Sequence, residues 1–415
     1  MTLRSVVVVG GGLAGVSTAS ELRKRGYDGR ITVLERGGVP YDRPPLSKSY
    51  LDGSKNEKDI ALQPEPWYDD HDIDLRLHTE VESLRASEGC VVLGDGIALP
   101  CDRVVLATGG SAARPSIPGA DDSRVHVLRT TEDADRLRAA LDGGKRLLVV
   151  GAGLIGAEAA ATALALGCDV SLVDPVARPL EGVVGRGLAE WLHSLHTSHG
   201  STVIEGGIAE FGDSVAGLEA VLTDGHIIGP FDAVLLGVGM RPETRLATTS
   251  GLLVEGGVVV DEAQRTSNPA ILAVGDPTRR TVDGLLRPRA EHWEAAQLDG
   301  ARAASQITGT VPPVEGAPWF WSDRYGRHVE VVGKPTDGDT AVVRGEFGSR
   351  SFSVLGLRGG VVVGAASVDD PTTIRAARRL IDRRTPVEAS SLEDPNTDLR
   401  KMLRGLGGDN GSEKS

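Results

Sequence analysis

Two stretches of this chain repeat one arrangement: an aliphatic run, a Gly-x-Gly-x-x-Gly turn and a helix-forming segment. The first occupies residues 6–22, VVVVGGGLAGVSTASEL, and the second opens with Leu147-Leu148-Val149-Val150-Gly151-Ala152-Gly153-Leu154-Ile155-Gly156-Ala157-Glu158. Unbroken aliphatic residues without polar alternation read as a strand buried on both faces, as in a parallel sheet. The glycines then have separable tasks. Gly10 permits the sharp turn, Gly12 leaves room for a pyrophosphate at the backbone N–H groups, and Gly15 lets the helix pack on the strand. Gly151, Gly153 and Gly156 repeat the set, and each helix would present its positive N-terminus to phosphate. Two fingerprints constrain the fold far more than one, and they predict two dinucleotides on two Rossmann-like domains.

An acid is expected at the end of each following strand, where it can bond the ribose hydroxyls. Glu35 stands twenty residues after Gly15, closing Ile31-Thr32-Val33-Leu34, and Asp174 closes Val170-Ser171-Leu172-Val173. An acid there repels a 2′-phosphate, so Asp174 favours NADH over NADPH, a preference that Arg178 four residues later tempers.

At 415 residues the chain is long enough for two or three domains, and its 54 glycines with few aromatics fit tight turns. A net charge of −13 excludes general nucleic-acid binding, which needs a basic surface. Cys90, Cys101 and Cys168 lie far apart, with no spacing for a redox pair, zinc site or iron–sulfur cluster. No leader pattern opens the chain and no apolar run approaches the roughly 20 residues a membrane helix needs, so a cytoplasmic protein that does not engage membrane is expected. His193, His196 and His199 on one helix would fan over about 120°, too wide for one ion. No metal is expected.

Between and beyond the fingerprints lie further candidates. Pro40-Tyr41-Asp42-Arg43-Pro44-Pro45-Leu46-Ser47-Lys48 is a rigid segment whose two cations could meet phosphate or a cofactor ring. Residues 75–81 alternate like a strand, Val104 begins a buried strand ending in Gly109-Gly110, and Arg129 precedes the polar start of a helix. A strand at Ala233 runs to Gly239, which joins the cofactor-binding candidates. Ala273-Val274-Gly275-Asp276 places a carboxylate at the C-terminal edge of a parallel strand, where such sheets bind ligands. Beyond Val311-Pro312-Pro313, alternating segments at Val329, Thr340 and Gly360 predict an antiparallel sheet. A basic helix over residues 373–384 follows, with Arg375, Arg378, Arg379, Arg383 and Arg384.

The paired fingerprints, the run from Asp42 to Lys48, Ala107-Thr108-Gly109-Gly110, Ala273-Val274-Gly275-Asp276 and Pro318-Trp319-Phe320-Trp321-Ser322-Asp323 together resemble the FAD-dependent NADH:ferredoxin reductases of cytochrome P450 and ring-hydroxylating dioxygenase systems. The resemblance runs over residues 4–403 in the family's order. It implies an α/β, glutathione-reductase-like fold with two Rossmann-like dinucleotide-binding domains and a C-terminal α+β interface domain. The expected bounds are 1–112 and 241–315 for a split FAD domain, 113–240 for an NAD domain, 316–403 for the interface domain and 404–415 for a disordered tail.

It also implies roles. Gly10, Gly12, Ala14, Gly15 and Glu35 would hold the adenosine and pyrophosphate of FAD, with Arg43, Lys48, Val81 and Arg129 against the same cofactor. Asp276 would bond the ribityl chain, and Trp293 and Trp321 would lie near the flavin. Gly151, Gly153, Ile155, Gly156, Glu158 and Asp174 would hold NADH. The lysine matching Lys48 approaches the reactive flavin edge and pairs with the glutamate matching Glu158. Two departures from the family pattern are Pro277, where many relatives have cysteine, and His292, where serine is commoner.

Residues 37–59 contain no cysteine, where related disulfide reductases carry theirs, so electrons are expected to leave the flavin directly for an iron–sulfur ferredoxin or rubredoxin. The basic helix is a candidate docking surface through Arg375, Arg378, Arg379 and Arg383, and the chain is expected to act as a monomer or homodimer. The alternatives are a quinone, oxygen or monodehydroascorbate reductase on the same domains, and a redox-responsive FAD- and NADH-binding protein.

Overall fold

A computed structural model describes residues 3–85 and 88–406. The described residues form two compact units: residues 3–45, 53–113 and 239–315 make the first, and residues 46–52, 114–238 and 316–406 make the second.

In the first unit the valine run is the strand Ser5–Val9, buried throughout, at the centre of a five-stranded parallel sheet. Arg30–Leu34 and then Ile73–Arg76 flank it on one side, and Arg103–Leu106 and then Ile271–Ala273 on the other. Val6, Val8, Ile31, Val33 and Val105 pack beneath the fingerprint helix Leu13–Lys24, while Val7, Val9, Leu34, Val104 and Leu106 line the opposite face. Continuous hydrophobicity is thus used on both sides of the sheet. Residues 75–81 are not one strand: Ile73–Arg76 ends in the sheet, His78 turns with φ +50°, and Val81–Arg85 starts a three-stranded antiparallel meander. Alternation continued across the turn and concealed it.

The helix Trp293–Thr308 lies against Leu13–Lys24, and Gly300 sets how closely. A Cβ there would stand 2.8 Å from the Thr18 nitrogen and 2.9 Å from the Ala14 oxygen.

The second unit repeats the design. Arg146–Val150 is central in a parallel sheet with Asp169–Asp174 and Thr202–Glu205 on one side and Ala233–Leu236 and Val125–Val127 on the other. Its antiparallel meander comprises Ile208–Ser214, Gly217–Leu222 and Ile227–Phe231. The C-terminal antiparallel sheet runs in the order Trp319–Arg324, Arg327–Gly333, Val361–Val368, Phe352–Arg358, Thr340–Arg344. The helix Pro371–Arg383 covers it through Ile374, Ala376, Ala377 and Leu380. Val184, Leu188, Ala189 and Leu192 share a core with Val329, Val331, Phe352 and Val354, so the helices Glu181–Val184 and Arg186–Ser198, which follow the strand Asp169–Asp174, pack on the antiparallel sheet of this unit.

A last helix, Leu399–Leu406, takes in the first three residues of the segment expected to be a disordered tail, and residues 407–415 lie outside those described. No helix among the described residues is long and apolar enough to cross a membrane.

Candidate functional site

The first fingerprint is built as its residue types require. Gly10 has φ +108°, and a Cβ on it would come within 2.3 Å of the Ala107 carbonyl oxygen. A Cβ on Gly15 would sit 2.0 Å from the Gly10 oxygen. These two glycines are fixed by the protein itself. Gly12 differs, because a Cβ there would meet only the end of Arg43, at 3.9 Å. It caps Leu13–Lys24 without a side-chain hydrogen bond, leaving the first-turn N–H groups to a ligand. A cradle that a methyl group would fill, at a helix N-terminus, fits the pyrophosphate of a dinucleotide.

The second copy matches it. Gly151 has φ +99° with its Cβ position 2.6 Å from the Gly237 oxygen, Gly156 faces the Gly151 oxygen at 1.9 Å, and Gly153 opens onto free space. Gly153 likewise caps Leu154–Ala165 without a side-chain bond.

The two acids also coincide in detail. Glu35 accepts from the Gly11 nitrogen through Oε2 and from the Gly37 nitrogen through Oε1, both at 2.7 Å. Asp174 accepts from the Ala152 nitrogen at 2.7 Å and from the Val176 nitrogen at 2.8 Å. Each carboxylate ties its own strand end to the glycine turn beside it. Ile155, Val176 and Val238 stand exposed near the second turn, an apolar margin suited to a nucleotide ring.

In the first unit, Gly10, Gly12, Glu35, Arg43 and Val81 line one cleft of about 150 Å³. Thr79, Thr108, Glu243 and Arg245 also line it: Thr79 stands in the alternating run 75–81 and Thr108 in the motif at Ala107–Gly110, neither with a role assigned from sequence, and sequence reasoning missed Glu243 and Arg245. Arg245 donates to the Val81 and Glu82 carbonyls at 3.1 and 2.9 Å, which fixes the wall. No motif surrounds Glu243 or Arg245 to announce them.

Asp276 follows Gly275, whose φ is +77° and whose Cβ position is 2.9 Å from the Ala14 methyl carbon. Arg43 reaches Asp276 at 3.6 Å, and Trp293, first residue of its helix, donates from Nε1 to Asp42 at 2.8 Å. Beneath this turn lies Asp299, which accepts from the Gly275 nitrogen at 3.2 Å, from Gln264 at 2.7 Å and from Arg302 at 2.9 Å. Burial pushes its carboxyl up to about 6, against the pull of Arg302 and the Gly275 bond.

The second unit brings Lys48 and Glu158 together, 3.3 Å apart, although 110 positions separate them in sequence. Glu158 is 3% exposed. A buried carboxylate is costly unless its lone pairs are used. Here Ser47 donates at 2.5 Å, Ser322 at 2.8 Å and the Asp323 nitrogen at 3.0 Å. Thr162 donates to the Ser47 carbonyl at 2.8 Å, fixing the segment that carries Lys48. Lys48 also reaches Asp323 at 3.1 Å. Burial works to raise the Asp323 carboxyl, but His328 at 2.6 Å and Lys48 together hold it below the usual carboxylate range. Arg324, 4% exposed, donates to Ser322 at 3.3 Å. Of this surrounding group, Ser322 and Asp323 belong to the Pro318–Asp323 motif but have no role assigned from sequence, and Arg324 and His328 carry no sequence signal.

Trp321 stacks on Trp319 at 5.0 Å, with Lys48 Nζ 5.9 Å from the Trp321 ring centre. Arg129 is half-buried in the second unit, its backbone nitrogen bonded to Asp133 at the start of Thr131–Leu141. Gly239 falls in the first unit, with φ +97° in a turn beyond Ala233–Leu236. His196 bonds Tyr325 at 2.7 Å, and burial lowers it to about 3. Among the described residues no group of three or more His, Cys, Asp or Glu is placed to hold a metal ion.

The family described as pyridine nucleotide-disulphide oxidoreductase matches residues 4–300, and the reductase C-terminal domain matches residues 319–403. The chain is 34% identical to rhodocoxin reductase of Rhodococcus erythropolis, over 96% of this chain and 94% of that protein. It is 37% identical to the ferredoxin–NAD(+) reductase component of the anthranilate 1,2-dioxygenase system of Burkholderia cepacia, over 97% of this chain and all of that protein (100%). The crystal structure of a covalent putidaredoxin reductase–putidaredoxin complex contains a chain that superimposes with a TM-score of 0.91 at 34% identity, covering 98% of this chain and 99% of that one.

Proposed function

The chain belongs to the pyridine nucleotide-disulphide oxidoreductase family, with that family's reductase C-terminal domain, and from that premise we propose that it is an NADH-dependent flavoprotein ferredoxin reductase. FAD supplies the chemistry when bound, accepting hydride from NADH and returning the two electrons singly to a [2Fe–2S] ferredoxin or rubredoxin that feeds a P450 or dioxygenase.

The observation that carries this reading is the state of the cysteines. Cys90, Cys101 and Cys168 are free and buried, and none lies in residues 37–59. Burial pushes the Cys101 thiol up to about 11 and raises Cys168 as well, which leaves both as poor nucleophiles. A relay through a disulfide has no residues to use.

In this reading the FAD domain is residues 1–112 and 241–315, the NAD domain 113–240 and the interface domain 316–403. Gly10, Gly12, Ala14, Gly15 and Glu35 bind the adenosine and pyrophosphate of FAD, Asp276 its ribityl chain, and Arg43, Val81, Arg129, Trp293, Trp321 and Gly239 belong to the cofactor-binding set. Gly151, Gly153, Ile155, Gly156 and Asp174 bind NADH. Lys48 and Glu158 orient one another and set the charge felt by the reacting rings, with Ser47 and Ser322 keeping Glu158 in place. The ferredoxin docks on the exposed arginines of Pro371–Arg383. The protein works in the cytoplasm, where NADH is formed.

The test is NADH oxidation by the purified holoenzyme with a [2Fe–2S] ferredoxin, a rubredoxin, a quinone, monodehydroascorbate and oxygen in turn. Iron–sulfur acceptors should be reduced fastest. Preference for quinone or oxygen would favour an oxidase or quinone reductase, and turnover that is negligible with every acceptor would favour a redox-responsive binding protein.

A further inference from the structure

Past the Asp174 carboxylate the second nucleotide site carries a feature that its fingerprint does not require. Arg178, in the loop after Asp169–Asp174, is the type of residue that would receive a 2′-phosphate. It is bound instead to Glu181, Nε to Oε2 at 2.6 Å, with Glu190 at 3.9 Å. Glu190 is itself paired with Arg186 at 2.9 Å. Glu205 ends the neighbouring strand in register with Asp174. The hydrogen bond to Glu181 is the foremost of the effects that hold the Arg178 guanidinium protonated, and Glu190 and Glu205 add to it. Four carboxylates therefore stand against two guanidiniums around this loop.

Stability does not account for the arrangement. Arg178 and Glu181 are 36% and 40% exposed, and exposed pairs of this sort contribute little to folding. Their effect on a charged ligand is another matter. A dinucleotide ending in a plain ribose diol needs only the Asp174 carboxylate, whereas a 2′-phosphate brings about two negative charges and needs a cation that is not already neutralised.

We propose that Glu181 is a specificity-determining residue: by occupying Arg178, with Glu190 behind it, it makes the site refuse the 2′-phosphorylated dinucleotide, beyond what Asp174 does alone. This rests on the assignment of the second fingerprint to NADH. It differs from the usual attribution of such selectivity to the strand-end acid, because it turns a cation that ought to favour NADPH into part of the barrier against it.

The experiment uses the holoenzyme with Glu181→Gln, measuring kcat/KM for NADPH and for NADH, and the dissociation constants of NADP+ and NAD+ by titration. The NADPH-to-NADH ratio should rise about ten-fold, as expected for removing one charge near a dianion at a partly exposed site, while the NADH value stays within about two-fold. Adding Arg178→Ala to Glu181→Gln should abolish the gain, and Glu190→Gln should enlarge it. A ratio unchanged in Glu181→Gln overturns the proposal, and so does a gain that persists without Arg178. If Asp174→Ala leaves NAD+ binding intact, the nucleotide assignment itself fails and the proposal falls with it; loss of NAD+ binding there beside an inert Glu181→Gln sinks the proposal alone.

Discussion

Glu158 shows how one buried acid is made tolerable. Ser47, Ser322, the Asp323 nitrogen and Lys48 all converge on it, so the ion pair is held by hydrogen bonds that orient both members. Replacing Lys48 by Met would leave the carboxylate without its cation, and we expect flavin reduction by NADH to slow about ten-fold, roughly 1.4 kcal/mol in the barrier, in stopped-flow single turnovers. An unchanged rate would remove Lys48 from the chemistry. Asp299 makes a second case at this scale, because its carboxyl, pushed by burial to about 6, supports the Gly275 nitrogen under Asp276. An unfolded aspartate titrates near 3.9, so the folded state keeps this proton longer, and the stability it contributes is full below about pH 4 and lost as pH rises through about 6. Asp299→Asn has no such titration. Wild-type stability relative to that variant should therefore fall by about 2 kcal/mol between pH 4 and pH 7, read from paired unfolding curves, and a constant difference would contradict it. Neither environment could be read from the chain. Lys48 and Glu158 were paired there only through a family resemblance, and Asp299 carried no signal, because burial and distant partners decide what such a residue does.

At the scale of elements the glycines separate folding from binding. Gly15→Ala places a methyl against the Gly10 backbone, which cannot move aside without opening the turn, and should cost about 1–3 kcal/mol even before cofactor is added. Gly12→Ala meets no protein obstacle and should leave the thermal midpoint of the FAD-free protein unchanged while sharply weakening FAD binding, measured by fluorescence titration. Equal FAD affinity in Gly12→Ala would contradict the cradle. The basic helix Pro371–Arg383 offers a third test. Arg375, Arg379 and Arg383 are exposed at successive turns, whereas Arg378 is half-buried with its guanidinium beside Gly316. Reversing the first three to Glu should raise the KM for ferredoxin about ten-fold or more and flatten its salt dependence while dye reduction is spared. Equal loss with both acceptors would sink the docking assignment. The fingerprint strands and helices were legible because parallel strands buried on both faces need unbroken aliphatic runs and because glycine turns have fixed spacing. The break at His78 was not, since its neighbours alternate across the turn, and neither were the meanders, because short half-exposed strands have no comparable pattern.

Over the whole molecule one plan is used twice, a five-stranded parallel sheet with a three-stranded meander, and an antiparallel sheet is added to the second copy. Residues 46–52, which carry Lys48, belong to the second unit although the chain on either side belongs to the first. That excursion supplies the lysine to Glu158, and nothing in local composition announces it. The repeat itself could be read directly, since two complete fingerprints with matching acids leave few other folds for a chain of 415 residues. In the proposed function, electrons from NADH pass through the flavin to an iron–sulfur partner without a cysteine relay. The decisive measurement is NADH-driven reduction of a [2Fe–2S] ferredoxin, under anaerobic conditions, by the wild-type holoenzyme and by a variant in which Cys90, Cys101 and Cys168 are each replaced by Ala. The rate per bound flavin should be the same in both, and a variant that keeps its FAD and accepts hydride but no longer reduces ferredoxin would restore a cysteine to the electron path.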